Sequence, residues 1–328
     1  MISRTRRTII RLAGTAAAAV LAAAGVSTPA SAIETNADPA YLVVWNNNIE
    51  NLATCGDGAP QWSRLLNYMK TRAKSPDIFT VQQVSNQAQL DSLLSRLSSE
   101  LPGVYAGKIA IANPRNIGGP GSDYLVPGTC AYTKRFQTNA VIWREGRFNL
   151  VDSRTWHSDA PEDYKDGPCR NLVIGAEGGY QDRVENVAVR LYDKEAGNYV
   201  NAASVHWPTS THAGPACADE NRKEAESALS VADGLGSADL RIIAGDMNTE
   251  AGTKSWWQNA KNNGYRDPMA EACGAMNCSS AWDTNGARRI DFLLARHASR
   301  FTTVDTITSS EAGGTYSDHL ALRSYVYY

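Results

Sequence analysis

Positive charge is scarce in this sequence. The 328 residues hold 32 Lys and Arg against 34 Asp and Glu. Four of the arginines (Arg4, Arg6, Arg7 and Arg11) fall in the first 32 residues, which contain no acid. The other 296 residues carry 28 basic and 34 acidic side chains, a net charge of −6. Such a balance excludes a sequence-independent coat for nucleic acid, which needs a broad basic face. It does not exclude a nuclease, because bound divalent cations supply positive charge locally. Paired C-x-x-C units are absent, so the six cysteines do not read as a zinc site. The Ala-rich run Leu12 to Val26 is too short and too weakly hydrophobic to span a bilayer, so stable membrane insertion is not expected. No internal repeat and no interdomain linker interrupts the rest, which reads as one domain over 33–328 and as a monomer.

The first 32 residues have the marks of an export signal: a basic n-region, the apolar run, and Ala30-Ser31-Ala32 as an A-x-A cleavage site. Arg6-Arg7 ahead of Thr8-Ile9-Ile10 also resembles a twin-arginine signal, and Sec and twin-arginine export both stand. A secreted, extracellular protein is the expectation. All six cysteines (Cys55, Cys130, Cys169, Cys217, Cys273 and Cys278) lie beyond the signal, and an even count in an exported chain suggests disulfides. Cys273 and Cys278 can close a small loop; the other four pairings stay open.

Leu240 to Thr249, L-R-I-I-A-G-D-M-N-T, organises the chain. It starts as a buried strand, breaks at Gly245, and presents Asp246 and Asn248, which face the same side if the backbone stays extended; Gly, Asp and Asn are also common turn residues, and G-D-M-N reads equally as a turn. Ahead of it, Tyr41–Asn47 and Ile78–Val84 read as strands, and Gln61–Lys74 and Gln87–Leu101 as amphipathic helices. This β-α-β-α opening predicts a layered α/β architecture. Residues 112–136 read as a long loop. Thr138–Arg144 is a strand, Arg170–Ile174 and Val184–Asp193 a strand pair, and Ala202–Trp207 a strand ending at His206. Glu220–Leu235 and Trp256–Asn262 read as helices, and 266–283 as Cys-containing loop. Arg289–Ala295 is a strand containing Asp291. Tyr316-Ser317-Asp318-His319 leads into a last strand, Leu320–Tyr327.

Polar groups recur where apolar strands end or break: Asn48, Gln83, His206, Asp246, Asn248, Asp291, Asp318 and His319. Ligands gather at the carboxyl ends of strands, so one common pocket is expected. N-I-E-N-L, S-V-H-W, G-D-M-N, R-I-D-F and S-D-H follow one another in an order that resembles the endonuclease/exonuclease/phosphatase superfamily, and the layout is most similar to its secreted deoxyribonuclease I branch. The resemblance implies a four-layer α/β (α+β) sandwich of two packed mixed β-sheets flanked by helices. It also implies hydrolysis of a phosphate ester with Mg²⁺, or with Mn²⁺ or Ca²⁺ in its place.

Carried over by motif, Asn48 contacts metal or phosphate, with Asn46 as the alternative register. His206 is the acid. Asp246 and Asn248 hold the attacked phosphate, its metal and the water. Asp291 fixes the tautomer of His319, which is the base, and Asp318 binds metal. Arg183 falls where the family often places a phosphate-contacting arginine. The chemistry also stands without the analogy, because phosphoryl transfer asks for charge neutralisation and positioning more than for a Ser or Cys nucleophile. The chain departs from the pattern at the end of the second strand. The family has Gln-Glu there, with the glutamate as main metal ligand, and this chain has Gln82-Gln83. Gln137 similarly stands where a glutamate would pair with the first histidine. An amide has an oxygen but no charge, so weaker magnesium binding is expected, with Glu50 or Asp318 as substitute carboxylates. Three readings follow: a nuclease acting on DNA or RNA, a phosphodiesterase of the sphingomyelinase or phospholipase C type, and a catalytically weakened binding protein.

Overall fold

A computed structural model describes residues 33–50, 61–115, 136–157, 182, 185–207, 234–252, 255–274 and 282–328. The expected signal segment, Arg183, the strand expected at Arg170–Ile174, nearly all of the helix expected at Glu220–Leu235 and five of the six cysteines lie outside these residues. Cys273 is disulfide-bonded, and its expected partner Cys278 also lies outside them.

Among the described residues, twelve strands form two six-stranded mixed sheets. The first has the order β11-β12-β1-β2-β4-β3 and the second β5-β6-β7-β8-β10-β9. The strands are β1 Tyr41–Asn48, β2 Ile78–Val84, β3 Tyr105–Ile109, β4 Thr138–Arg144, β5 Phe148–His157, β6 Glu185–Asp193, β7 Asn198–His206, β8 Leu240–Asp246, β9 Tyr265–Arg266, β10 Asp291–Arg296, β11 Phe301–Ile307 and β12 Ala321–Tyr327. The described helices are α1 Gln61–Lys70, α2 Gln87–Glu100, α3 Ser255–Asn262 and α4 Pro268–Cys273.

Side-chain alternation along the central strands builds the layers. Leu42 and Val44 of β1, with Ile78, Val189, Ala202, Ile242, Leu293 and Leu322, fill the space between the sheets. Val43 and Trp45 point the other way, onto Trp62, Leu65 and Met69 of α1 and Leu90, Leu93 and Leu97 of α2. On the far side, Ala203, Val205, Ile243 and Leu294 pack on Trp256, Trp257 and Ala260 of α3. Both faces of the inner strands are thus covered, which is why their sequences read as nearly unbroken apolar runs. Each large side chain buried this way contributes about 1.5–3 kcal/mol. Trp256 and Trp257, the adjacent aromatic pair, both lie in this core; Trp256 stands edge-on to Trp207 and Phe292.

β6 pairs with β5 on one edge and β7 on the other. Three sequence expectations need correction. α1 stops at Lys70 rather than Lys74, because Ser75 donates to the Glu34 carbonyl and residues 73–75 run alongside Glu34. The stretch 266–283 is not all loop: Asp267 caps α4 by accepting from the Met269 and Ala270 amides, and Pro268 occupies its first turn. Asn248 does not continue the extended backbone of β8. It turns into the left-handed region at φ 50°, and its amide donates to Asp246 Oδ1 at 2.9 Å.

The parallel pairs β1–β2 and β7–β8 bring four strand ends to one pole of the sandwich. β10 and β12 begin at that same pole, since Asp291 pairs with Asp246 and Leu322 with Asn46. Beneath the pole a buried polar seam joins the sheets. Gln82 donates to Ser204 Oγ at 2.9 Å and to Asn46 Oδ1 at 3.0 Å, and Ser204 donates to the Val81 carbonyl at 3.0 Å. At the opposite pole a buried ionic cluster ties the starts of β2 and β5 to the ends of β4, β6 and β12. Asp77 meets Arg144 at 2.8 Å and Arg147 at 3.2 Å, Arg147 meets Asp193 at 2.8 Å, and Tyr328 donates to Asp193 at 2.6 Å.

Candidate active site

Asp246, the last residue of β8, is the hub. Its Oδ2 accepts from Asn48 Nδ2 at 3.0 Å, and lies 3.5 Å from His206 Nε2 and 3.6 Å from His319 Nε2. One carboxylate oxygen therefore gathers a residue from each sheet and both histidines. All four side chains are buried. The local sequence makes this possible at Gly245. Its φ is 159°, and a Cβ there would sit 1.8 Å from the Val205 carbonyl oxygen of the neighbouring strand. Only glycine allows β7 and β8 to approach so closely at the site.

His319 stands between carboxylates. Its Nδ1 is 2.8 Å from Asp291 Oδ2, and its Nε2 is 4.0 Å from Asp318 Oδ1. Burial disfavours the charged imidazole, but Asp291 and Asp246, the hydrogen bond to Asp291 and then Asp318 outweigh it, and the pKa is pushed up to about 10. His206 is set by its backbone, whose N–H donates to Asn186 Oδ1 at 2.8 Å.

The expected site residues thus divide. Asn48, His206, Asp246, Asp291 and His319 come together. Asn248 and Asp318 flank them: Asn248 Nδ2 donates to the Trp207 carbonyl at 2.7 Å, and Asp318, its side chain half exposed, donates its amide to Glu50 Oε2 at 3.3 Å. Asn46, the alternative to Asn48, is used instead in the seam below. Asn48 presents its nitrogen to Asp246 while its oxygen accepts from the Glu50 amide at 3.1 Å, an orientation suited to a phosphate oxygen rather than a cation. Gln83 is half-buried at the irregularity between Val81 and Val84, one residue past the Gln82–Asn48 pair, with φ 60°. Gln137 is buried just ahead of β4.

Three supports escaped the sequence reading. Ser317 donates to the Asn48 carbonyl at 2.6 Å and accepts from the His319 amide at 3.1 Å. Asn47 Nδ2 donates to the His319 carbonyl at 3.1 Å. Thr284 Oγ1 accepts from the Ile290 and Asp291 amides at 3.1 Å each. The serine carries a signal, since it sits inside the S-D-H motif; the threonine carries none.

Asp246, Asp291 and His319 offer ligand atoms within 4.8 Å of one another, a cluster compatible with a metal ion. The 2.8 Å bond between Asp291 and His319 makes those two a histidine–carboxylate pair first. Among the described residues Asp246, Asp318 and Glu50, whose Oε2 accepts from the Asp318 amide at 3.3 Å, are then carboxylates that could meet a cation. Such an oxygen-based set suits a hard divalent ion, with less charge than a glutamate at position 83 would add.

The family model described as "Endonuclease/Exonuclease/phosphatase family" matches residues 51–319. The chain belongs to that family. Its members act on phosphate esters, so hydrolysis is the general activity, and the two packed mixed sheets agree with the family's sandwich. Among solved structures, the human nocturnin catalytic domain with bound sulfate is 18% identical over 88% of this chain and 93% of that one, with a TM-score of 0.59. D. rerio TDP2 complexed with a single-strand DNA product is 15% identical over 88% and 99%, TM-score 0.57. The Bacteroides thetaiotaomicron mannosyl-6-phosphatase Bt3783 is 16% identical over 88% and 100%, TM-score 0.53. At these identities the likeness is one of fold. A search of curated proteins found no match.

Proposed function

We propose that this family member is a secreted, divalent-metal-dependent phosphodiesterase of deoxyribonuclease I type that hydrolyses DNA or RNA, formed by a single domain over 33–328 after removal of residues 1–32. The observation that carries the reading is the meeting of both histidines on one oxygen of Asp246, with Asp291 behind His319. A magnesium ion, or manganese or calcium, held by Asp246 and Asp318 with Gln83 alongside, would neutralise charge on the attacked phosphate.

The chain's own residues supply the rest. Asn48 and Asn248 offer amide groups that position the phosphate. His206 hands a proton to the leaving oxygen. Asp291 holds the His319 proton on Nδ1 and leaves Nε2 facing Asp246, where a water would be activated. With Asp246 charged, His319 keeps both protons at neutral pH. Countering the Asp246 charge removes one of the fields that hold its pKa up, and brings it toward a range where it accepts a proton. Arg183 is the further phosphate contact in this reading. General acid–base catalysis of this kind contributes roughly 10²–10⁴-fold.

The test is plasmid nicking with Mg²⁺, Mn²⁺ or EDTA, run beside sphingomyelin hydrolysis, with wild type and His319→Ala. Metal-dependent nicking that the substitution abolishes is the expected result. Sphingomyelin turnover without nicking would move the substrate to lipid; activity in neither assay would leave a binding protein. Burial of Trp256 and Trp257 disfavours the lipid reading, since neither is presented to a bilayer. Export is checked by N-terminal sequencing of protein recovered from culture fluid, which should begin at Ile33.

A further inference from the structure

An exposed guanidinium stands on the lip of the site, on a turn fastened to three of its segments. Residues 284–288 form a tight turn: the Thr284 and Asn285 amides donate to the Arg288 carbonyl at 2.9 and 3.0 Å, and Arg288 returns a bond to the Asn285 carbonyl at 3.1 Å. Besides accepting from the Asp291 amide, Thr284 accepts at its carbonyl from the Leu320 amide at 2.7 Å, and Asn285 Nδ2 donates to the Asp318 carbonyl at 3.2 Å. The turn is therefore held to the start of β10 and to the Asp318–His319 segment.

From it Arg288 reaches the third segment. Its Nη2 lies 3.4 Å from the carbonyl of Asn248, the residue whose amide binds Asp246. Its Nε also lies 3.9 Å from Glu250 Oε1, and the two side chains are 49% and 58% exposed. A pair that long and that wet adds little to stability, so it does not account for the placement. Two loose contacts also leave most of the five guanidinium donors to solvent. Among the described residues the rim also presents Glu50, Glu250 and Asp318, which repel an anion. A cation pre-positioned among them, beyond the buried catalytic groups, suits a second phosphate.

We propose that Arg288 binds a phosphate flanking the scissile one, so that the chain prefers an oligonucleotide to an ester with a single phosphate. This rests on the phosphodiesterase reading. The test uses the full chain as wild type, Arg288→Ala and Arg288→Lys. Hydrolysis of an oligodeoxynucleotide is compared with that of bis(p-nitrophenyl) phosphate. Binding of a fluorescein-labelled oligodeoxynucleotide is followed by anisotropy in EDTA across a NaCl series. Arg288→Ala should lower the ratio of kcat/KM values, oligonucleotide over bis(p-nitrophenyl) phosphate, about tenfold, chiefly through KM. It should also flatten the slope of log Kd against log salt by about 0.7, the share of one phosphate contact on a single strand, and Arg288→Lys should keep most of that slope. An unchanged ratio with an unchanged slope, or equal losses on both substrates, would overturn the proposal. Wild-type protein inactive on both substrates would overturn the phosphodiesterase reading, while the salt slope still decides Arg288.

Discussion

In the proposed site, His319 and Gln83 are where single side chains would set the chemistry. Because the folded pKa of His319 is about 10 and the ordinary value 6.5, its protonated form stabilises the fold. That contribution is fully present below about pH 6.5 and is lost as pH rises toward 10. Chemical denaturation in EDTA should show stability falling by a few kcal/mol across that window. His319→Gln should flatten the fall, and a parallel decline in the variant would mean other groups cause it. Gln83→Glu should tighten Mg²⁺ binding, because it adds charge at the strand end beside Asn48. Titration calorimetry giving equal or weaker affinity would remove position 83 from the cation's surroundings.

Among the elements, β7 and β8 matter most, since their parallel pairing puts His206 opposite Asp246. Gly245→Ala forces a Cβ into the Val205 carbonyl and should separate those two residues. Soluble protein with nicking activity lost by at least 10²-fold is the expected result, and near-wild-type turnover would show that the strands tolerate the intrusion. Inner strands were legible in the sequence because both faces are buried and their apolar runs end abruptly at functional residues. Edge strands were not. Phe148–His157 in β5 interleaves Asn149, Asp152, Ser153 and Arg154 with its apolar residues, and Phe301–Ile307 in β11 is broken by Thr303 at φ 51° and a register shift before Asp305. Among the described residues each has a partner on one side only, so little hydrophobic pattern is required of it. The site was legible as a set of residue types at strand ends. The Asn248 turn is local, closed by Asp246 two residues back, but the Thr284 clamp and the bond from Asn48 to Asp246 join side chains to separate segments and leave no local pattern to read.

For the molecule as a whole, the functional groups lie at one pole and the buried ions at the other. Asp77 is fully buried against Arg144 and Arg147, and its Oδ2 also accepts from the Asn36 side chain and the Val43 amide. Asp77→Ala leaves those arginines short of a counter-charge and should cost about 3–5 kcal/mol. In a domain of this size that is a fall in Tm on the order of 10 °C. At low temperature kcat should stay near wild type, because no site residue touches the cluster; a proportionate loss of turnover would show that the two poles are coupled.

The bond from Asn48 to Asp246 has a wider meaning. In the proposed mechanism Asn48 and the His319 segment leading into β12 hang from one sheet, and His206, Asp246 and Asp291 from the other, so the reaction centre exists only while the two halves stay in registry. A slip of an ångström along that boundary would silence the enzyme with every strand still intact. Turnover is thus the most sensitive gauge of shear in this sandwich, and should fail well before the fold does.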